Sequence, residues 1–254
     1  MRNARPFYGE FGWAYDLLIE RPVMDECSAI GAWLSERGVT AGCTVLDAGC
    51  GTGRYARELA RLGYIVEGAD IAPDLIAVAN SATPPDNGGV SFRLLDLLEI
   101  PRRRYDGILC RGVLNDVDGH CREHVFNVFA DSLRGQGVLV MDVRDWHQTR
   151  QRKAANPVFR KSVATDRGML TFTSVTTLDP EDHSIRLLET HTLATGDSIR
   201  SAEYEFHMHC WTRAELRHGL NEAGFGDVHF FGAYDAATEV GTTDRIVAVA
   251  SLRN

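Results

Sequence analysis

No pair of cysteines stands at C-x-x-C spacing, although six occur: Cys27, Cys43, Cys50, Cys110, Cys121 and Cys210. Scattered in this way they imply neither a disulfide framework nor a zinc ribbon, and all six are read as reduced thiols. No apolar run approaches the ~20 residues that a membrane-spanning helix needs. The opening Met1–Pro6 lacks the apolar stretch of a signal peptide, so the expectation is a cytoplasmic protein without a membrane partner. Basic excess is missing too: 27 Lys and Arg face 35 Asp and Glu, a net charge of −8. A nucleic-acid partner would need a basic face. A dinucleotide fingerprint is absent, because the sixth position counted from Gly49 is Arg54, and no G-x-x-x-x-G-K phosphate loop occurs. What remains is ample for one α/β domain with a full core: 254 residues, 44% hydrophobic and 24% charged.

The most informative segment is Thr44–Arg54, TVLDAGCGTGR. A short apolar run ends in Asp47, a glycine-rich turn follows through Gly49, Cys50, Gly51 and Gly53, and a helix begins near Tyr55. A strand, a tight loop and a helix open nucleotide sites at the carboxyl ends of parallel strands. Asp47 lies where a carboxylate reaches a cation rather than a phosphate. The D-x-G-x-G-x-G string resembles the first motif of class I S-adenosylmethionine-dependent methyltransferases. A second run, Tyr64–Asp70, ends in an acid 17 residues past Gly53, and such an acid accepts hydrogen bonds from ribose hydroxyls. The resemblance implies that Asp70 and the following Ile71 hold the ribose side of the cofactor. It implies likewise that Asp96, after the third run Val90–Leu95, contacts the adenine amino group, with Leu97 offering a backbone amide.

A fourth strand, Tyr105–Cys110, leads into Arg111 and Asn115. In the family this junction lies under the methionine part of the cofactor, so Arg111 is a candidate cofactor contact and Asn115 a candidate substrate contact. A surface arginine and a helix-capping asparagine are the alternatives. A fifth strand spans Gly137–Val143. Near the chain end, Thr212 and Glu215 form a capping box, and strands at Asp227–Phe231 and Thr243–Ala250 follow. The expected fold is α/β: a Rossmann-like sheet of seven strands with helices on both faces and a β lid insertion. Sheet order 3-2-1-4-5-7-6, with the seventh strand antiparallel, is implied by the resemblance.

The expected organisation has residues 41–145 and 211–254 as the cofactor-binding domain, with two additions. Residues 1–40 form an aromatic and helical cap, in which Tyr8, Trp13 and Tyr15 either face a sulfonium or pin the segment to the core. Residues 146–210 read as an antiparallel β lid of three strands, similar to that of small-molecule N-methyltransferases. Along Arg200–Cys210, Tyr204, Phe206, Met208 and Cys210 share one face, and Glu203, Glu205, His207 and His209 the other. Lid location and side-chain chemistry make His207, His209, His191 and Tyr204 candidate general bases. Asp145 and Trp146 are candidate pocket residues, the latter equally a core residue. His120–His124 matches H-x-x-E-H but has no convincing third ligand, and no metal is expected. The activity implied is methyl transfer to N or O of a small molecule, releasing S-adenosylhomocysteine. Diversion of the cofactor (cyclisation, for example) and cofactor binding without turnover are the alternatives. Oligomeric state stays open, a homodimer included.

Overall fold

The computed structural model describes residues 6–84 and 89–253. In chain order the elements are α1 (Pro6–Glu10), α2 (Tyr15–Leu18), α3 (Val23–Ser35), β1 (Thr44–Ala48), α4 (Arg54–Arg61), β2 (Ile65–Asp70), α5 (Pro73–Ser81), β3 (Val90–Leu94), β4 (Tyr105–Arg111), α6 (Arg122–Ser132) and β5 (Leu133–Arg144). Then come α7 (Trp146–Ala155), β6 (Val158–Thr165), β7 (Gly168–Asp179), β8 (Ser184–Thr195), β9 (Ser198–His209), α8 (Arg213–Glu222), β10 (Phe225–Phe231) and β11 (Arg245–Leu252).

Seven strands form one sheet in the order β10-β11-β5-β4-β1-β2-β3. β1 through β5 pair in parallel, and β11 runs antiparallel to β5. This is the expected order, read from the opposite edge. Two-residue periodicity along the strands builds both layers of the core. Leu46, Ile108, Leu139, Met141 and Ala248 face α6 and α8, where Phe126, Phe129, Leu216 and Leu220 meet them. Val45, Leu109, Val140 and Val247 face α3 and α4, where Ile30, Leu34 and Leu59 pack.

Four strands, β6-β7-β8-β9, form a separate antiparallel sheet. The sequence pattern marks three strands there. β6, and α7 which precedes the sheet, are additional to that pattern. Two apolar clusters anchor this lid. Trp146, Ile185, Leu187, Met208 and Cys210 join it to α7. Phe7, Phe11, Ala14 and Leu18 pack on Leu170 of β7 and join it to the N-terminal segment. Among the described residues up to position 40, those that border the space between lid and sheet fall between Phe7 and Arg21, whereas α3 is part of the sheet's own core. Among the described residues, no helix is long and apolar enough to cross a membrane.

Candidate functional site

A cavity of about 260 Å³ lies over the carboxyl ends of the parallel strands, walled by the N-terminal segment and the lid. Ligand crevices form at this edge of an open α/β sheet. One end is built from the loop after β1 and the acids after β2 and β3. Gly49 has φ +79°, and a Cβ there would lie 2.2 Å from Val113 Cγ2. Gly51 has φ +56° and nothing within 4 Å of a built Cβ, so it leaves bare backbone against open space. Both line the cavity, as do Asp70, Ile71, Asp96 and Leu97.

Asp70 is held from below. Its Oδ2 accepts from the Gly51 amide at 2.8 Å and its Oδ1 from the Ala72 amide at 2.9 Å. Burial raises its pKa, and those amide hydrogen bonds oppose the rise. Asp96 accepts from the Leu98 amide at 3.0 Å, capping a short turn that presents Leu97.

Asp47 departs from expectation. It shares a strand face with Val45, which points it at α4 rather than into the cavity, and it is 2% exposed. Its Oδ2 has no hydrogen-bond partner among the described residues. Burial, followed by the nearby Asp70, pushes its pKa up to about 7. Cys50 and Gly53 shape the loop without lining the cavity. Cys50 is buried, and Gly53 caps α4.

The other end of the cavity is rich in arginine, with Arg21, Arg111, Arg144 and Arg245 in its wall. Arg111 lies 2.7 Å from Glu26 and 3.7 Å from Asp142, with its guanidinium over the rings of Tyr55 and Tyr234. Tyr55 donates its hydroxyl to the same Glu26. Asp142 is fully buried, yet Arg245 at 2.9 Å, with Arg111, keeps its pKa low against the effect of burial. Asn115 lines the cavity and locks its floor: Oδ1 accepts from the Arg144 amide at 2.9 Å, and Nδ2 donates to the Gly112 carbonyl at 3.2 Å.

The four candidate bases do not reach the cavity. His191 is fully buried, its ring 4.5 Å from Phe7 and 4.8 Å from Phe172, inside the cluster that joins lid and N-terminal segment. Tyr204 donates to Glu10 at 3.3 Å. His207 is exposed beside Glu205. His209 is buried edge-on against Trp211, and burial lowers its pKa. The face of β9 that looks into the cavity is the apolar one, Phe206 and Met208. Tyr8 and Tyr15 line the cavity, whereas Trp13 lies outside it under the Arg167 guanidinium, 4.3 Å away. Asp145 caps α7 through the Gln148 amide at 2.8 Å. Trp146 is a core residue stacked on His183. The described residues contain no cluster of three metal-ligating side chains.

Arg21, Arg144, Arg245, Phe172, Phe206 and Met208 also line the cavity, although no sequence motif marks them. For the last two the signal lies in the alternation of β9, whose apolar face, and not the face carrying His207 and His209, meets the cavity.

Residues 45–137 match the family described as a methyltransferase domain. A protein of Geobacillus sp. (strain WCH70) named as a methyltransferase aligns over 252 residues at 23% identity, covering 96% of this chain and 98% of its own. The magnesium-protoporphyrin O-methyltransferase of Rhodobacter capsulatus is 44% identical over 69 residues, 27% of this chain and 31% of that one. Most of the curated relatives matched are likewise aligned over about a third of their length. The sugar N-methyltransferase KedS8 of Streptoalloteichus sp. shares the fold with a TM-score of 0.78 at 18% identity, over 100% of this chain and 96% of that one. With a methyltransferase domain matched over residues 45–137, a relative aligned from end to end and this shared fold, the chain is similar to known methyltransferases in both sequence and fold.

Proposed function

We propose that the chain binds S-adenosylmethionine in the cavity and transfers its methyl group to nitrogen or oxygen of a small molecule. The observation that carries this reading is Asp70. It is a carboxylate fixed by two backbone amides at the lip of a glycine loop, and it borders the cavity. Its remaining lone pairs suit a pair of ribose hydroxyls. Gly51 fits the same group, because any side chain at that position would project into the space that the adenosyl moiety takes. Asp96 and Leu97 then lie at the adenine end.

The cofactor supplies a methyl already activated on a sulfonium. The protein's task is alignment and exclusion of water. Phe206, Met208 and Phe172 of the lid, with Phe7 and Leu18 of the N-terminal segment, supply the apolar wall. None of the described lining residues is a histidine, so the reading relies on positioning rather than on a dedicated imidazole base. A nitrogen acceptor agrees with the kinship in fold to a sugar N-methyltransferase.

The test is mass spectrometry of small-molecule extracts incubated with the protein and methyl-labelled cofactor. A labelled product together with S-adenosylhomocysteine is expected. Methylthioadenosine without a labelled product would point to cyclisation instead. Failure of the protein to bind either cofactor form would end the proposal.

A further inference from the structure

The arginine end of the cavity has an unbalanced charge. Arg245 is engaged by Asp142, Arg111 by Glu26 and Asp142, and Arg144 by Asp244 at 2.9 Å, a carboxylate that also takes Arg152 at 2.8 Å. Arg21 has neither a hydrogen bond nor an ion pair among the described residues, and its buried Nε is unpartnered. It is half-buried, and burial first, then the fields of Arg245 and Arg111, lower its pKa against a smaller opposing pull from Asp142. Three guanidiniums thus crowd two carboxylates in a partly dry wall. A charge kept there without a partner is costly, and an incoming anion relieves both desolvation and mutual repulsion.

The walls beside Arg21 narrow the ligand further. Phe172, Phe206 and Met208 face the same cavity from the lid. An apolar body carrying one oxyanion satisfies both surfaces, and a guanidinium fork matches carboxylate or phosphate oxygens in pairs. We propose that the methyl acceptor bears an oxyanion, carboxylate or phosphate, that docks on Arg21 at the end of the cavity formed by β4, β5 and β11. This inference rests on the methyltransferase reading above and names the acceptor class for it.

Calorimetry on protein saturated with S-adenosylhomocysteine, titrated with benzoate, phenyl phosphate and the neutral benzamide, tests the assignment. At least one oxyanion is expected to bind ten-fold or more tightly than the amide. Which of the two does so separates a carboxylate acceptor from a phosphorylated one. Arg21→Gln should erase the preference, and Arg21→Lys, which keeps the charge without the fork, should retain part of it. Equal binding of all three compounds by the wild type overturns the proposal. So does an unchanged preference in Arg21→Gln with native circular dichroism. A third outcome also overturns it: Arg21→Gln weakens S-adenosylhomocysteine ten-fold and leaves benzoate untouched, which would give Arg21 to the cofactor's own carboxylate. Repeating the titration on unloaded protein separates the two readings. An intact anion preference without any cofactor binding would remove the methyltransferase reading and leave the anion site standing.

Discussion

Single residues at the loop after β1 carry measurable consequences. Gly49 combines a left-handed φ of +79° with a Cβ direction blocked 2.2 Å away by Val113. Gly49→Ala should therefore lose about 2–4 kcal/mol in chemical denaturation. The added substitution Val113→Ala should recover the steric share, and a double-mutant cycle with no coupling would refute the contact. Asp70→Ala removes the acceptor of two backbone amides and the proposed ribose ligand. Cofactor affinity by calorimetry should fall by ~1–3 kcal/mol, and unchanged affinity would remove Asp70 from the site. Asp47 makes a prediction about pH. Its folded pKa of about 7 lies above the 3.8 of an ordinary aspartate, so the folded state prefers the protonated acid. The stability it contributes is complete below pH ~4 and is lost as pH rises through about 7. Asp47→Asn is neutral throughout. Its unfolding free energy relative to wild type should increase from pH 4 to pH 8 by ~1–4 kcal/mol. Parallel stability curves for the two proteins would show that Asp47 is ionised in the fold at all those pH values.

Whole elements differ in how openly their sequence announces them. α8 is announced fully: the Thr212 hydroxyl accepts from the Glu215 amide at 3.2 Å, and the Glu215 carboxylate accepts from the Thr212 amide at 2.6 Å. Thr212→Ala should cost ~0.5–2 kcal/mol in thermal or denaturant unfolding, and a cost near zero would mean that water replaces the cap. The core strands were equally legible, because Val45 and Leu46, or Val140 and Met141, alternate between two buried layers. β6 was not. VFRKSVAT has five exposed residues and none fully buried, and its partly buried face (Lys161, Val163 and Thr165) carries a single large apolar side chain, so its burial alternation is not written as a hydrophobic one. α7 was hidden for a related reason: WHQTRQRKAA buries only Trp146 and Thr149 and carries no apolar stripe. In the site, the acids at strand ends were readable as positions but not as directions. Asp70 and Asp96 line the cavity, while Asp47 turns toward α4 by the same two-residue period that places Val45 there. On β9 that period sorted the side chains into two faces. Which face meets the cavity depends on how the lid docks, and no local pattern records it. Arg21 was illegible for a similar reason, since its company of Arg111 and Arg245 is assembled from three distant stretches of chain.

At the scale of the molecule, the cavity is closed by parts that are weak on their own. α1 and α2 are five and four residues long, far too short to hold a helix unaided. Tertiary contacts hold this segment instead. Phe7 and Phe11 stack on His191 of β8. Glu10 meets Arg200 of β9 at 2.6 Å, and Lys161 of β6 donates to the Leu18 carbonyl at 3.1 Å. Asp16 reaches back to Arg54 at the start of α4 at 2.9 Å. The segment thus bridges lid and sheet, and it contributes Phe7, Tyr8, Tyr15, Leu18 and Ile19 to the cavity wall. A ligand enclosed by that wall must leave before the segment can swing away, so occupancy and local opening are thermodynamically linked. Hydrogen exchange on the full chain reads this linkage. At S-adenosylhomocysteine concentrations 100 times Kd, amides between residues 7 and 20 should exchange up to roughly 100-fold more slowly. Amides of α3, buried through Ile30 and Leu34, exchange through global unfolding, which bound ligand also slows, so their slowing verifies occupancy. Lys161→Ala should speed exchange at residues 16–20 in the unloaded protein, because it removes a tie to that stretch. If saturating ligand leaves residues 7–20 exchanging at their unloaded rate, the segment does not cover the bound molecule, and access to the cavity must run through the lid instead.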